Sequence, residues 1–396
     1  MSRSAPMSTD VINMQTDGQK PRPAKRGFED SLLWQIKLRL QFSGWLLYLA
    51  HAFIVVVLLI IAGIGSLIGY WPLLLVSLPL GLAAFFFVAL VGTIVMVRYG
   101  LHPAERLPQP KTDLDVFDLM RARRSCRSFQ RRNLTEEHRA ELLDVAQIQS
   151  SLEFLIGNHP IRFEYVSAPL TVWPVVGARE FLVAIAPKTY HRIAVIDVGR
   201  SLQKTVLHAT RMGLATCWIG PGADHDSVVK HLGDRFDPSQ DHLICVCAIG
   251  YESMFKPLAV RAMRRLQHQR LPLSELFFED PTYTRPLDVN VDPFRAFGRC
   301  FEACQWSPSS YNSQTTRCAA VIAQVSGKDR LVRFDFAAAT SSRYYAAVAL
   351  GIWCANWEVG CETLGQLGQF AIIVADARSA EITPDLPLYD LSWVLE

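Results

Sequence analysis

The sequence predicts a layered α/β or α+β domain set behind a helical membrane hairpin. Two observations carry this. Residues 40–97 contain no Asp, Glu, Lys or Arg, which is room for two spanning helices of about 20 residues and a turn. Beyond them, helix-like and strand-like segments alternate almost to the end, the pattern of helices layered on sheets. The length of 396 residues suggests two or three folded units at about 150 residues each. A hydrophobic content of 50% against 19% charged residues excludes a disordered chain. A net charge of +3, with no zinc-finger or RNA-binding signature, gives no case for nucleic acid.

Taken in order, residues 1–30 are rich in Ser, Pro, Gln, Lys and Asp, and the chain to residue 40 is expected to be a disordered basic tail. Asp10 and Asp17 speak against a transit peptide. The hairpin occupies 41–99 and contacts the lipid bilayer. Its spans fall at 45–68 and 73–97, broken by Gly69-Tyr70-Trp71-Pro72, because Gly and Pro punctuate helices and Tyr and Trp favour the membrane interface. The run is too long for the apolar core of a cleavable signal peptide. A buried hairpin of a soluble protein would carry charges on one helical face. Lys20, Arg22, Lys25, Arg26, Lys37 and Arg39 precede the hairpin, and Arg98, Arg106 and Lys111 follow it. Both ends therefore face one cytoplasm-like side: the cytosol, or the matrix if the membrane is the mitochondrial inner membrane. His51, inside the first span, is read as a neutral interfacial group.

Residues 100–112 read as a Pro-rich linker. A first half, 113–280, follows. Helices are expected at 113–124 and 136–149, the second capped by Thr135. Strands are expected at 161–166 and 181–186. A long helix should be capped by Asp197 and stopped by Gly213. Strands at 214–219 and 242–249 flank a short helix at 224–232, and a basic helix covers 258–269. Residues 280–292 read as a second linker. The second half, 281–396, repeats the order more briefly: helix 292–306, strands 318–325 and 331–336, helix 341–359, strand 371–374. The shared order hints at a degenerate duplication. All nine cysteines lie after the membrane segment, with no C-x-x-C and no paired zinc spacing. They read as small hydrophobes in a reducing compartment, and no metal site is expected.

Three motifs carry chemistry. Residues 121–129 read RARRSCRSF, and Arg123, Arg124, Ser125 and Arg127 crowd the end of a helix. Guanidinium forks and a hydroxyl match a phosphate; a solvated basic face or a juxtamembrane lipid-binding patch would look the same. Residues 306–314 read WSPSSYNSQ, where Pro308, Ser309, Ser310 and Asn312 offer backbone amides and a carboxamide in a fixed turn, or make an ordinary loop. Residues 213–220 read GLATCWIG, whose glycines allow close backbone approach to a ligand, or simply end a strand.

Together and in this order the motifs resemble the nitroreductase superfamily, in particular its tandem branch with two fused halves. The resemblance covers about 113–380 and includes RRSCR at 123–127, Thr216–Gly220, Ile249-Gly250-Tyr251, RLPLSELFF at 270–278, and Pro308-Ser309-Ser310-x-Asn312-x-Gln314 with Arg317. It implies an α+β, nitroreductase-like three-layer sandwich that binds FMN between two units. Arg-Arg-Ser-x-Arg occurs only in the first half and Pro-Ser-x-x-Asn only in the second. An intramolecular pseudo-dimer with one flavin site is therefore expected, preceded by two transmembrane helices.

By the same resemblance, Arg123, Arg124, Ser125 and Arg127 would hold the phosphate and ribityl or pyrimidine end. Arg270 would add a phosphate contact. Pro308, Ser309, Ser310 and Asn312 would approach the ring from the other half, and the backbone at Ile219 and Gly220 would face its reactive edge. The implied activity passes hydride from NAD(P)H through FMN to an acceptor, a quinone or nitroaromatic; no catalytic acid or base is nominated. The chain departs from the family at Thr315-Thr316 and at Trp353 and Trp357, which could reshape the substrate side. The alternative is an accessory subunit of a membrane complex, a respiratory one included, that keeps a degenerate nitroreductase fold and docks on partner subunits.

Overall fold

The computed structural model describes residues 32–266, 269–338, 344–373 and 388–396. A short helix α1 (Leu32–Phe42) leads into α2 (Leu46–Ile68). The tail expected to be disordered to residue 40 is thus helical from Leu32. The stretch LLWQIKLRLQF has no Gly or Pro and recurring apolar residues, which averaging over a polar tail conceals. Gly69 ends α2 with φ 75°, a conformation glycine adopts without penalty. The second apolar helix runs Leu73–Arg98; its central part is α3 (Leu78–Thr93) and a wide π-type turn lies at each end. Both helices are long and apolar enough to cross a membrane by length and composition. Arg98 ties their outer ends together, donating from Nη1 to Ser43 O at 2.8 Å.

The 100–112 linker is irregular but clamped. Lys111 N donates to Arg211 O at 2.7 Å, and Glu105 accepts from the Ser253 hydroxyl at 3.0 Å. α4 (Val116–Ala122) is capped by Asp115, and α5 (Glu136–Gln149) by Thr135 as expected. The first sheet comprises β1 (Arg162–Ser167), β2 (Glu180–Pro187), β3 (Ala215–Ile219) and β4 (Asp241–Gly250), ordered β1-β2-β4-β3 and antiparallel throughout. Side chains two apart share a face. Leu182, Ala184, Cys245 and Cys247 therefore enter the core shared with α6 (Arg192–Arg211). Phe181, Val183, Val246 and Ala248 enter a second core that includes Val228 and Leu232 of α7 (His225–Leu232). The sheet is covered on both faces, a layered arrangement.

After α8 (Leu258–Leu266), β5 (Phe277–Phe278) leaves the first half and pairs in parallel with β6 (Thr316–Val325), Phe277 opposite Cys318. The second sheet is ordered β5-β6-β7-β9-β8, with β7 (Lys328–Ala338), β8 (Gly368–Ala371) and β9 (Leu388–Leu395). The strand expected at 371–374 is β8, displaced toward residue 368, and its last expected residue lies outside the described residues. α9 (Gly298–Gln305) and α10 (Tyr345–Thr363) complete the second half.

α6 and α10 pack backbone to backbone. A Cβ on Gly351 would sit 1.9 Å from Ile196 O, and one on Gly199 2.3 Å from Val348 O. Flanking this crossing, Arg200 Nε and Nη2 fork onto Glu358 at 2.8 and 2.5 Å, and Gln203 donates to Asn356 at 3.1 Å. Burial raises the Glu358 pKa, but Arg200 and Lys204 outweigh it and hold the carboxyl below its usual range.

Asp197 does not cap α6. The helix starts at Arg192, so Asp197 lies a turn and a half inside it and is fully buried. There it accepts from the Ile156 and Gly157 amides at 2.8 and 2.9 Å, pinning the loop after α5. Burial pushes its pKa up to about 6, against the two backbone hydrogen bonds and Arg200. A folded-state pKa above the unfolded value gives stability that is present below about pH 4 and lost as pH rises through about 6. Relative to Asp197→Asn, which does not titrate, wild type should lose about 3 kcal/mol across that window. Thermal melts of both proteins at pH 4.5 and 7.5 check this; a wild-type-minus-variant difference that does not fall with pH would contradict it.

Candidate functional site

α4 ends at Arg123, whose backbone turns extended. The following residues run along the edge strand β3: Ser125 bridges to Thr216, and the Cys126 amide donates to Thr216 O at 2.8 Å. This fixes the direction of the arginines beside it. Arg123 is 7% exposed, and its Nη1 is buried without a hydrogen-bond partner. Burial first, then Arg270 and Arg124, push its pKa down to about 10, so it stays charged at neutral pH. Arg270 is lowered by burial and by Arg124. Cys217 feels both Arg127 and Arg123 while burial raises its thiol pKa. Arg123, Arg124 and Arg270, from two segments of the chain, thus converge on one place where their charges repel, and Arg127 shares Cys217 as a neighbour with Arg123.

The second half arrives through the turn after α9. Arg270 Nη1 donates to Asn312 Oδ1 at 2.7 Å and to Ser307 O at 3.2 Å. Asn312 Nδ2 donates to Gln269 O at 2.8 Å. Ser309 Oγ accepts from the Gln314 amide at 2.9 Å, and Gln314 Oε1 from the Leu271 amide at 2.9 Å. Within this mesh Tyr311, Asn312 and Gln314 have φ of 52°, 57° and 48°, left-handed backbone that costs a non-glycine residue of order 1–3 kcal/mol. Pro308 and Ser310 belong to the same turn, which leads into β6. In this arrangement Asn312 sets the Arg270 guanidinium rather than standing free to contact a ring.

The first and second motifs meet over one indole. Arg121 lies 5.4 Å and Arg270 5.5 Å from the Trp306 ring centroid, both within cation–π range. Trp306 lies inside its motif with no role legible in the sequence, because its partners Arg121 and Arg270 are distant in the chain. Tyr345 likewise has no role legible in the sequence. Ile219 is buried at the end of β3, and beside it a Cβ on Gly220 would lie 2.7 Å from the Tyr345 ring. Burial raises the Tyr345 pKa, and Tyr311 adds to the shift. Tyr345 thus links the glycine of one half to the turn of the other.

Trp353 and Trp357 are both buried, and Trp353 also lines a small cavity with Pro308 and Ser309. Trp357 is fully buried among Phe277, Phe297 and Phe334, and Trp353 meets Phe277 in a tilted contact at 5.1 Å between ring centroids. Apolar surface of this size is driven into the core. All nine cysteines are free and buried. Burial raises the Cys245 thiol to about 12, which makes it a poor nucleophile.

The site therefore belongs to an α+β fold in which arginines from residues 121–270 meet the turn after α9. A family model described as "Putative TM nitroreductase" matches residues 115–359, and the chain belongs to this nitroreductase family. Among solved structures, a Thermotoga maritima protein of that description overlays 74% of this chain and 97% of its own at 14% identity, with a TM-score of 0.42. An FMN-bound nitroreductase from Bacteroides fragilis covers 37% of this chain and 92% of its own at 18% identity and TM-score 0.31. The FMN-dependent nitroreductase NfnB from Mycobacterium smegmatis, solved with NADPH, covers 40% and 94% at 19% identity and TM-score 0.32. These overlays are loose, so the assignment rests on the family model. Comparison with curated proteins found no match.

Proposed function

We propose that the protein is a membrane-anchored FMN-dependent oxidoreductase that takes hydride from NAD(P)H and passes it to an acceptor of the quinone or nitroaromatic class. One flavin site would lie between two nitroreductase-like halves packed as an intramolecular pseudo-dimer. The observation that carries this reading is the buried charge at Arg123 and Arg270. Each has a buried guanidinium nitrogen without a hydrogen-bond partner, Nη1 and Nε, and neither forms an ion pair with a carboxylate among the described residues. Like charges held together out of water are unfavourable unless an anion joins them. A phosphate monoester fits that donor set.

Arg123, Arg124, Ser125 and Arg127 would hold the phosphate end. Arg270 would close on it, oriented by Asn312 and Trp306. Pro308, Ser309 and Ser310 would shape the far wall, and the Ile219–Gly220 backbone would border the reacting edge. FMN, when bound, supplies the hydride-accepting and hydride-donating chemistry, and the chain supplies binding, orientation and electrostatics.

The anchor reading is supported by the apolar surface the hairpin leaves open. Phe53, Leu67, Leu73, Phe85 and Val88 are each more than 65% exposed, a patch that suits lipid rather than water. Both termini would then lie on the cytoplasm-like or matrix-like side.

The test is the visible spectrum of purified full-length protein, followed anaerobically after adding NADH or NADPH. Bound flavin that bleaches supports the enzyme. A colourless protein, or flavin inert to both nucleotides, overturns it and favours an accessory subunit with a retained fold.

A further inference from the structure

A cavity of about 610 Å³, lined by none of Arg123, Arg124, Arg127 and Arg270, lies between the soluble domain and the outer end of the hairpin. Its walls come from both hairpin ends and from residues 167–179, and Arg98, Arg131 and Arg179 line it with no Asp or Glu among the lining residues. None of the three forms an ion pair among the described residues. Arg98 bonds to Ser43 O and lies 4.2 Å from the Trp45 ring centroid, and Arg131 Nη2 donates to Arg98 O. Burial, followed by Arg179 and Arg98, holds the Arg131 pKa below the usual guanidinium range. Tyr48 also lines the cavity; it is 4% exposed, and its hydroxyl is buried with no hydrogen-bond partner. A cationic cluster with an unused hydroxyl donor is a receptor for a phosphate oxygen.

We propose that this cavity binds the phosphate of an anionic membrane phospholipid, with Arg98, Arg131 and Arg179 around the phosphate and the Tyr48 hydroxyl donating to it. The inference rests on the membrane reading above, which puts the basic ends of both spans at headgroup depth on the cytoplasm-like side. A lipid fits better than a free phosphate because both ends of the hairpin form part of the wall, through Phe42, Ser43, Gly44 and Tyr48 on one side and Val97 and Arg98 on the other. The outer face of α2 offers exposed Leu49 and Phe53 to an acyl chain.

The test uses full-length, delipidated protein in neutral detergent. Its thermal midpoint is titrated with short-chain phosphatidylglycerol, short-chain phosphatidylcholine and inorganic phosphate. The expected result is saturable stabilisation by phosphatidylglycerol at concentrations at least tenfold below those needed for either other probe. In Arg131→Gln/Arg179→Gln that preference should fall by about tenfold or more, and in Tyr48→Phe by a few-fold. Tyr48→Phe keeps the ring, so it retains the test if the double variant fails to fold. Equal response to both lipids, or a preference unchanged in Tyr48→Phe, overturns the site. Inorganic phosphate acting as well as phosphatidylglycerol overturns the lipid as the occupant. Carbonate washing of membranes separates the two readings. Release into the supernatant overturns the anchor and the lipid site with it, whereas a pelleted protein without headgroup preference overturns the site alone.

Discussion

Replacing Arg123 by alanine should weaken FMN binding by about 10- to 100-fold, the worth of one or two hydrogen bonds to a charged group. The flavin-free protein should change little. Its guanidinium is buried beside Arg270 and Arg124, so removing it relieves an unfavourable charge of order 3 kcal/mol while losing packing of similar size. A purely structural arginine would behave in the opposite way, lowering stability with or without flavin. Thermal melts with and without added FMN distinguish the two, because ligand stabilises by RT ln(1 + [L]/Kd). Wild type should gain several degrees at saturating FMN and Arg123→Ala much less. The same FMN-induced gain in both proteins would show that the site has been misplaced. Asn312→Ala should reproduce the loss more weakly, because Asn312 reaches the arginine cluster by holding Arg270 at 2.7 Å.

Gly351→Ala should be among the most destabilising single-methyl changes in the soluble part. The added carbon would meet Ile196 O at 1.9 Å, and a backbone oxygen cannot rotate away as a side chain can. α6 and α10 must separate, which strains the adjacent Arg200–Glu358 fork. Overpacking costs about 1–3 kcal/mol, and disturbing a buried ion pair adds to it. The expected fall in Tm is about 10 °C, and Gly351→Leu should not yield folded protein, since total stability is only about 5–15 kcal/mol. Gly298→Ala is the control. Its Cβ would meet nothing within 4 Å, so alanine should be neutral or slightly stabilising. Matched Tm values for Gly351→Ala and wild type would contradict the crossing.

The elements most legible in the sequence were those fixed by local chemistry. Thr135 capped α5 and Gly69 broke the hairpin, each from its own side chain or lack of one. Asp197 was misread because a carboxylate before an apolar-periodic run looks like a cap, whereas its partners, Ile156 and Gly157, lie some forty residues earlier in the chain. β5 and β9 were missed for related reasons. β5 has only two residues and pairs across the boundary between halves. β9 alternates Leu391 and Trp393 with Asp390 and Ser392, a pattern too short for its period alone to decide. The arginine motif showed which side chains would gather, but not that Trp306 and Tyr345 would join them; those contacts exist only once α4, β3 and the turn after α9 are brought together.

The central claim is a single flavin site shared by the two halves, and the most direct measurement is the ratio of acid-released FMN to protein in the purified full-length chain. The account predicts one FMN per chain, with lower occupancy in Arg123→Ala. A ratio of two, or a fully folded preparation that takes up none when FMN is added, would contradict it.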